Sequence, residues 1–305
     1  MVTTGLPTVL TQQMLLAPGR PRLRVSPFVK WAGGKGHLVR HLMPLVPIRL
    51  KNYYEPFLGG GALFFSVFNR GTPFRSFLSD SNHELISTFK VLEETPEELV
   101  LKLSKLQKQY LVSPHKEAFY YSVRATSPAS RTELAARFIF LNKTCYNGLY
   151  RVNRKGMFNV PFGRYKHPRI LNEANLLAAS WALQDTGATI FEADYQKATE
   201  KSGEGDFVYF DPPYDPISKT SGFTDYTAVG FDKEDQIKLA EWFGELASRR
   251  CIVVLSNSDT PLVRRLYRKY FMKSIEVNRP INCKGKGRTG FKELVISNDP
   301  SNRQV

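Results

Sequence analysis

The sequence predicts a doubly wound α/β fold, a mostly parallel Rossmann-like sheet interrupted by a helical insertion, and three observations lead there. A strand, a glycine turn, a helix and a second strand follow one another between Asn52 and Asp80, which is the signature of a β-α-β unit. Short apolar runs of strand type return only after Gly187. Residues 84–175 carry helical spacing and then a basic tract, which interrupts the β-α alternation.

The elements follow in order. NYYEPF, from Asn52, reads as a strand; Gly59, Gly60 and Gly61 turn the chain; ALFFSVFNRG reads as a helix stopped by Gly71; and FRSFLSD reads as a strand ending on Asp80. Helical apolar spacing recurs in ELISTFKVL, in LVLKLSKLQKQYL and in ELAARFIFL, with Thr132 as the expected cap of the last. Strands are expected at GATIFEAD (187–194), DFVYFDPPY (206–214), CIVVLSN (251–257), MKSIEV (272–277) and FKELVISN (291–298), with a helix between Lys233 and Ser248. The expected organisation is a mobile N-terminal extension over 1–26, a sheet domain over 27–83 and 176–298, a helical, basic insertion over 84–175, and a tail over 299–305.

Charge then narrows the function class. Lys and Arg total 43 against 28 Asp and Glu, a formal +15, which favours a polyanionic partner. Arg20, Arg22, Arg24, Lys30, Lys35, Arg40, Arg49 and Lys51 all precede the first acid, Glu55, and between Lys143 and Arg169 there are seven cations and no acid. Either block is a solvated face or a phosphate contact. Hydrophobic residues at 42% exclude a disordered chain, and no apolar run reaches the length of a membrane span. Cys145, Cys251 and Cys283 are widely spaced, so neither a disulfide scaffold nor a metal site is expected, and a cytoplasmic, reducing compartment fits. The N-terminus lacks the pattern of a signal peptide.

Two glycine motifs bear on a cofactor. A glycine turn with a carboxylate at the tip of the next strand suits a nucleoside, whose ribose diol Asp80 would accept. The nicotinamide fingerprint fails, since Phe64 stands where its third glycine should be. Glu55, just before Gly59, would repel a pyrophosphate but could pair with the ammonium of S-adenosyl-L-methionine, so the local pattern leans to that methyl donor. Lys30-Trp31-Ala32-Gly33-Gly34-Lys35 is a poor phosphate loop, because Gly36 and His37 follow where Ser or Thr is needed. A plain glycine turn before a helix is the alternative.

The sharpest chemistry lies at Asp211-Pro212-Pro213-Tyr214, directly after FVYF. A carboxylate at the edge of an apolar strand is costly unless used, and the prolines hold the Pro212 carbonyl rigid. Two fixed acceptors beside an aromatic suit a planar amine: accepting its two N–H bonds frees the nitrogen lone pair to attack a sulfonium methyl, while Tyr214 stacks on the extruded base. A strand-ending turn with no function is the other reading.

Taken together these pieces resemble the Dam-type DNA adenine-N6 methyltransferases. The resemblance runs from about Pro27 to Ser297 through FVKWAGGK (28–35), YEPFLGGGALFF (54–65), LSDSN (78–82), LNKTCYNGLYRVNRKGMFNVPFGRYKHP (141–168) and DPPY (211–214). It implies S-adenosyl-L-methionine as cofactor, with Trp31, Lys35, Asp80 and Asp211 contacting it, and Asp211, Pro212 and Tyr214 forming the catalytic pocket. Double-stranded DNA is the implied partner, read at GATC, with Lys30, Tyr146, Asn147, Leu149, Arg151 and Pro161 at positions that contact or wedge into the target. Arg151 has the geometry to hold guanine O6 and N7, Leu149 and Pro161 to touch a thymine methyl, and Tyr146 to fill a base step. Lys143, Arg154, Lys155, Arg164 and Lys166 suit phosphates. The glycine-rich tip within Arg264–Lys292 is expected to touch the backbone. A monomer without metal is expected.

The chain departs from that family at Lys143-Thr144-Cys145, where Arg-Tyr-Gly is common, which bears on flanking-base preference. An RNA or protein-amide methyltransferase shares the carboxylate-and-proline chemistry, and a DNA-binding regulator without catalysis shares the charge. The acid-free tract disfavours a protein substrate, and the presence of Asp80 and Asp211 disfavours the regulator.

Overall fold

The computed structural model describes residues 24–31, 33–216, 231–277 and 291–299. Among them seven strands form one sheet: β1 (Asn52–Glu55), β2 (Arg75–Asp80), β3 (Thr189–Glu192), β4 (Phe207–Phe210), β5 (Ile252–Ser258), β6 (Phe271–Val277) and β7 (Phe291–Ser297). Their spatial order is β3-β2-β1-β4-β5-β7-β6. The first five run parallel, and β7 lies antiparallel to both β5 and β6. All four β4 residues are buried, as a central parallel strand covered on both faces requires. The winding reverses between β1 and β4, so a crevice is expected beyond the C-terminal ends of these strands.

The helices are α1 (Val39–Leu42), α2 (Ala62–Phe68), α3 (His83–Glu94), α4 (Pro96–Val112), α5 (Lys116–Ala125), α6 (Arg131–Thr144), α7 (Glu173–Asp185), α8 (Tyr195–Thr199), α9 (Lys233–Ser248) and α10 (Pro261–Leu266). Alternation along the strands divides the core. Tyr53, Phe207, Tyr209 and Val254 point to the face covered by α2, α3, α4, α6 and α7; Tyr54, Val208, Phe210, Val253 and Leu255 point to the face covered by α9 and α10. The sheet is thus wound on both sides, as the sequence predicts.

Local differences have local causes. The first expected strand stops at Glu55, and DPPY lies outside β4, because Pro212 and Pro213 have no N–H with which to extend the ladder. The cap of α6 is Ser130, not Thr132: Ser130 Oγ accepts from the Glu133 amide at 3.1 Å, and Thr132 lies buried within the first turn. The sequence S-x-x-E at 130–133 carried that signal. Val25 and Ser26, counted with the extension, are docked: Asn69 exchanges two hydrogen bonds with the Val25 backbone, and Asn175 accepts from the Ser26 amide. Residues 1–23 lie outside the described residues.

After α6 the basic tract forms an irregular hairpin, tied by bridges between Cys145 and Phe162 and between Val152 and Phe158. One buried side chain locks this hairpin to the N-terminal motif. Asn142 accepts from the Lys30 amide (2.8 Å) and donates to the Lys30 carbonyl (2.7 Å) and the Gly148 carbonyl (3.2 Å). A close approach follows: Gly148 has φ +64°, and a Cβ there would stand 2.5 Å from Lys30 Cδ. Asn142→Ala, which deletes three buried hydrogen bonds, should cost about 2–4 kcal/mol in urea unfolding; a loss below about 0.5 kcal/mol would show that the lock is not structural.

Candidate active site

Three carboxylates gather where the strands end. Asp211 follows β4, Glu55 closes β1 and Asp80 closes β2. Asp211 Oδ1 accepts from Lys35 Nζ at 2.8 Å and from Ser256 Oγ at 2.8 Å. Burial raises the Asp211 carboxyl above its ordinary range, and the Lys35 and Ser256 contacts oppose that shift. The Lys35 ammonium is itself buried, donates to the Gly33 carbonyl at 2.6 Å, and lies over the Tyr214 ring at 4.3 Å. Tyr214 Oη donates to Glu293 Oε2 at 3.1 Å, the same oxygen that faces His37 Nε2 at 3.3 Å. Burial pushes the Tyr214 hydroxyl well above its usual range, so it remains a neutral donor.

The glycine turn joins this centre to Asp80. The Gly59 amide donates to Asp80 Oδ2 (3.0 Å) and the Asn82 amide to Asp80 Oδ1 (2.9 Å). A carboxylate has about four lone-pair positions, so each oxygen keeps capacity for a diol. Gly59 has φ +49°, and a Cβ there would lie 2.7 Å from Trp31 Cδ1, so only glycine lets the turn pass under the indole. Trp31 stacks in turn on Tyr150 of the hairpin, with centroids 5.5 Å apart, and the Tyr150 hydroxyl donates to Glu84 at 2.7 Å. The sequence-predicted cofactor and catalytic residues, Trp31, Lys35, Glu55, Gly59, Asp80, Asp211, Pro212 and Tyr214, therefore gather at the C-terminal end of the parallel strands.

Glu55 is buried and accepts from the Tyr53 hydroxyl at 2.8 Å. Burial raises its carboxyl to about 8, Tyr53 works against this, and Asp211 and Asp80 add to it. Among the described residues no group of three His, Cys, Asp or Glu is placed to hold a metal ion, and no helix is long and apolar enough to cross a membrane.

The predicted nucleic-acid residues form a second group on the hairpin. Tyr146 and Asn147 are exposed on the turn Tyr146–Gly148, with Asn147 at φ +55°, and the Tyr146 amide donates to the carbonyl of Pro161 across the hairpin at 2.8 Å. Leu149 is half-buried. Arg151 stands nearer the hairpin tip, exposed, with Nε donating to Asn159 Oδ1 at 2.8 Å. Lys30 abuts Gly148 and places its ammonium 4.7 Å from the Tyr165 ring. Beside them lies a cavity of about 240 Å³ lined by Lys30, Lys143, His167 and Arg169, with no carboxylate in its wall. Burial, then Lys30 and Arg169, lower the Lys143 ammonium to about 8. The tip expected within Arg264–Lys292 falls largely at 278–290, outside the described residues.

Sequence reasoning missed Ser256, Glu293 and His37. Ser256 and Glu293 sit in β5 and β7, far along the chain from DPPY, and only the sheet brings them to it.

Comparison with known proteins decides the identity. The family model of the D12 class N6 adenine-specific DNA methyltransferases matches residues 31–281. The chain belongs to this family. The methyltransferase is 38% identical over 283 residues to the type II methyltransferase M1.LlaDCHI of Lactococcus lactis subsp. cremoris, covering 91% of this chain and 96% of that one. It is 40% identical over 290 residues to the type II methyltransferase M.MjaIII of Methanocaldococcus jannaschii, covering 90% and 100%. It is also 34% identical over 276 residues to the DNA adenine methylase of Escherichia coli K12, covering 90% and 95%.

The buried Glu55 makes the methyltransferase pH-sensitive in a defined direction. Unfolded, the carboxyl ionises near 4.5; folded, it holds its proton to about 8. The native state thus binds the extra proton between these values, and stability falls as pH rises through that window. Glu55→Gln should remove this part of the slope, leaving stability near pH 5 little changed and raising it by a few kcal/mol at about pH 8.5. Urea titrations at both pH values measure it; equal slopes in variant and wild type would contradict the assignment.

Proposed function

We propose that the enzyme transfers a methyl group from S-adenosyl-L-methionine to N6 of an adenine flipped out of duplex DNA, with GATC as the target. The observation that supports this most is Asp211, a half-buried carboxylate held by Lys35 and Ser256 at the end of β4 beside Tyr214. Next to it the Pro212 carbonyl receives no hydrogen bond from any described residue. Those are two fixed acceptors at the edge of an aromatic face.

The residues divide the work. Asp211 Oδ2 and the Pro212 carbonyl accept the two N–H bonds of the exocyclic amine, which lets the nitrogen pyramidalise and localise its lone pair. Tyr214 stacks on the base. S-adenosyl-L-methionine, when bound, supplies a methyl already activated by a sulfonium leaving group. Asp80 accepts from the ribose diol and Glu55 faces the amino group, with Trp31 closing over Gly59. Nitrogen gains the methyl and loses a proton towards Asp211, so a charged acceptor is needed at that atom.

Target reading is assigned to 84–175, and methyl transfer to 27–83 and 176–298. Tyr146 wedges a base step, Leu149 and Pro161 touch a thymine methyl, and Arg151 reads guanine, its Nε held on Asn159 Oδ1 at 2.8 Å and its Nη2 near the Asn159 carbonyl at 3.5 Å. Lys30, Lys143 and Arg169, which line an acid-free cavity, and the exposed Lys166 neutralise phosphates.

Methylation of GATC duplexes and their single-substitution variants over a range of salt tests the reading. Arg151→Ala should lower discrimination at one base pair by roughly 1–3 kcal/mol. Lys166→Ala should weaken all sequences alike and flatten the salt dependence by about one counterion. Uniform losses in both variants, with GATC preference intact, would remove Arg151 as the reader, and wild-type methylation without GATC preference would remove the target.

A further inference from the structure

We infer that Gln236 and Asn257 are positioning residues that clamp the DPPY turn and fix the direction of the Pro212 carbonyl. The inference rests on the proposed methyl transfer and adds two residues to it.

Gln236 lies in the first turn of α9 and Asn257 in β5, 1% and 0% exposed. Gln236 Nε2 donates to the Pro213 carbonyl at 2.9 Å, Gln236 Oε1 accepts from Asn257 Nδ2 at 2.9 Å, and Asn257 Oδ1 accepts from the Asp215 amide at 3.0 Å. The two amides and the turn from Pro213 to Asp215 thus close a ring. Asn257 Oδ1 also takes the Ser258 amide at 2.8 Å, and Thr260 Oγ1 donates to Asp215 Oδ2 at 2.6 Å.

The orientation of this ring is not free. A backbone carbonyl at one end accepts only, and a backbone N–H at the other donates only, so neither amide can flip without setting oxygen against oxygen or N–H against N–H. Buried polar groups are costly unless satisfied, and here the hydrogen bonds of the two amides serve each other, the DPPY turn and the end of β5 beside it. The ring holds both ends of the segment that follows Pro212, while the Pro212 carbonyl itself is left without a donor among the described residues. Fixing Pro213 and Asp215 fixes the peptide between Pro212 and Pro213, and so the angle at which one of the two acceptors meets the amine.

The clamp lies outside the pocket, so its removal should slow chemistry and spare binding. Gln236→Glu places a carboxylate oxygen against the Pro213 carbonyl, Asn257→Asp removes the donor to Gln236, and Gln236→Met removes the link without adding charge. Each would be assayed at a temperature where circular dichroism shows it folded, by single-turnover methylation of a GATC duplex, by calorimetry with S-adenosyl-L-methionine, and by fluorescence of 2-aminopurine at the target position. The expected result is a single-turnover rate at least about tenfold lower, with cofactor affinity, DNA affinity and base extrusion within about twofold of wild type. Wild-type rates in all three variants, or a parallel fall in rate and in both affinities, would overturn the positioning role. A wild-type enzyme that fails to methylate the duplex would instead overturn the reading on which the inference rests.

Discussion

Taking a carboxylate out of water costs several kcal/mol unless charge and hydrogen bonds replace its hydration, and the arrangement around Asp211 answers that demand. An ammonium and a hydroxyl converge on one oxygen, Oδ1, and the ammonium is held over the Tyr214 ring and by the Gly33 carbonyl. Lys35 comes from the N-terminal motif, Ser256 from β5, and Tyr214 is tied to Glu293 in β7. This ion pair therefore requires the N-terminal motif to dock at the C-terminal end of the sheet and the β6–β7 pair to close beside β5. Loss of Lys35 would leave Asp211 with its desolvation cost uncompensated, so this pair is structural as well as chemical.

A second chain of contacts links the sheet end to the basic hairpin. Trp31 touches the Gly59 turn on one side and Tyr150 on the other, while Asn142 fastens the Lys30 backbone to Gly148. The hairpin that carries Tyr146, Asn147 and Arg151 is thus held against the same motif that supplies Lys35. Docking of one segment between hairpin and sheet gives a fixed spacing between the hairpin and Asp211.

Much of this was legible because local rules agree with the fold. The β-α-β unit, the carboxylates at strand tips and DPPY after an apolar strand follow from strand period, glycine turns and proline's missing N–H. Other features leave no local trace. α7 is buried on several sides, with Asn175, Leu176, Ala178, Ala179, Ala182 and Leu183 all inside, so it lacks the polar face that a 3.6-residue period needs. The hairpin over 145–162 is held by single bridges and side-chain bonds, so no period of two builds up. Ser256, Glu293, Gln236 and Asn257 look like ordinary strand and helix residues until the fold places them against the DPPY turn and Asp215. The misplaced cap at α6 has a simpler cause: Ser130 and Thr132 both precede an apolar run, and only the Glu three residues after Ser130 separates them.

The central claim is that the negative charge on Asp211, and not merely its volume, draws the amine into a reactive geometry. Asp211→Asn keeps the shape and leaves an acceptor but removes the charge. The rate of a single turnover on a GATC duplex, measured by rapid quench with saturating S-adenosyl-L-methionine, should fall at least about 10²-fold in this variant while DNA affinity holds. A rate within a few-fold of wild type would contradict the account.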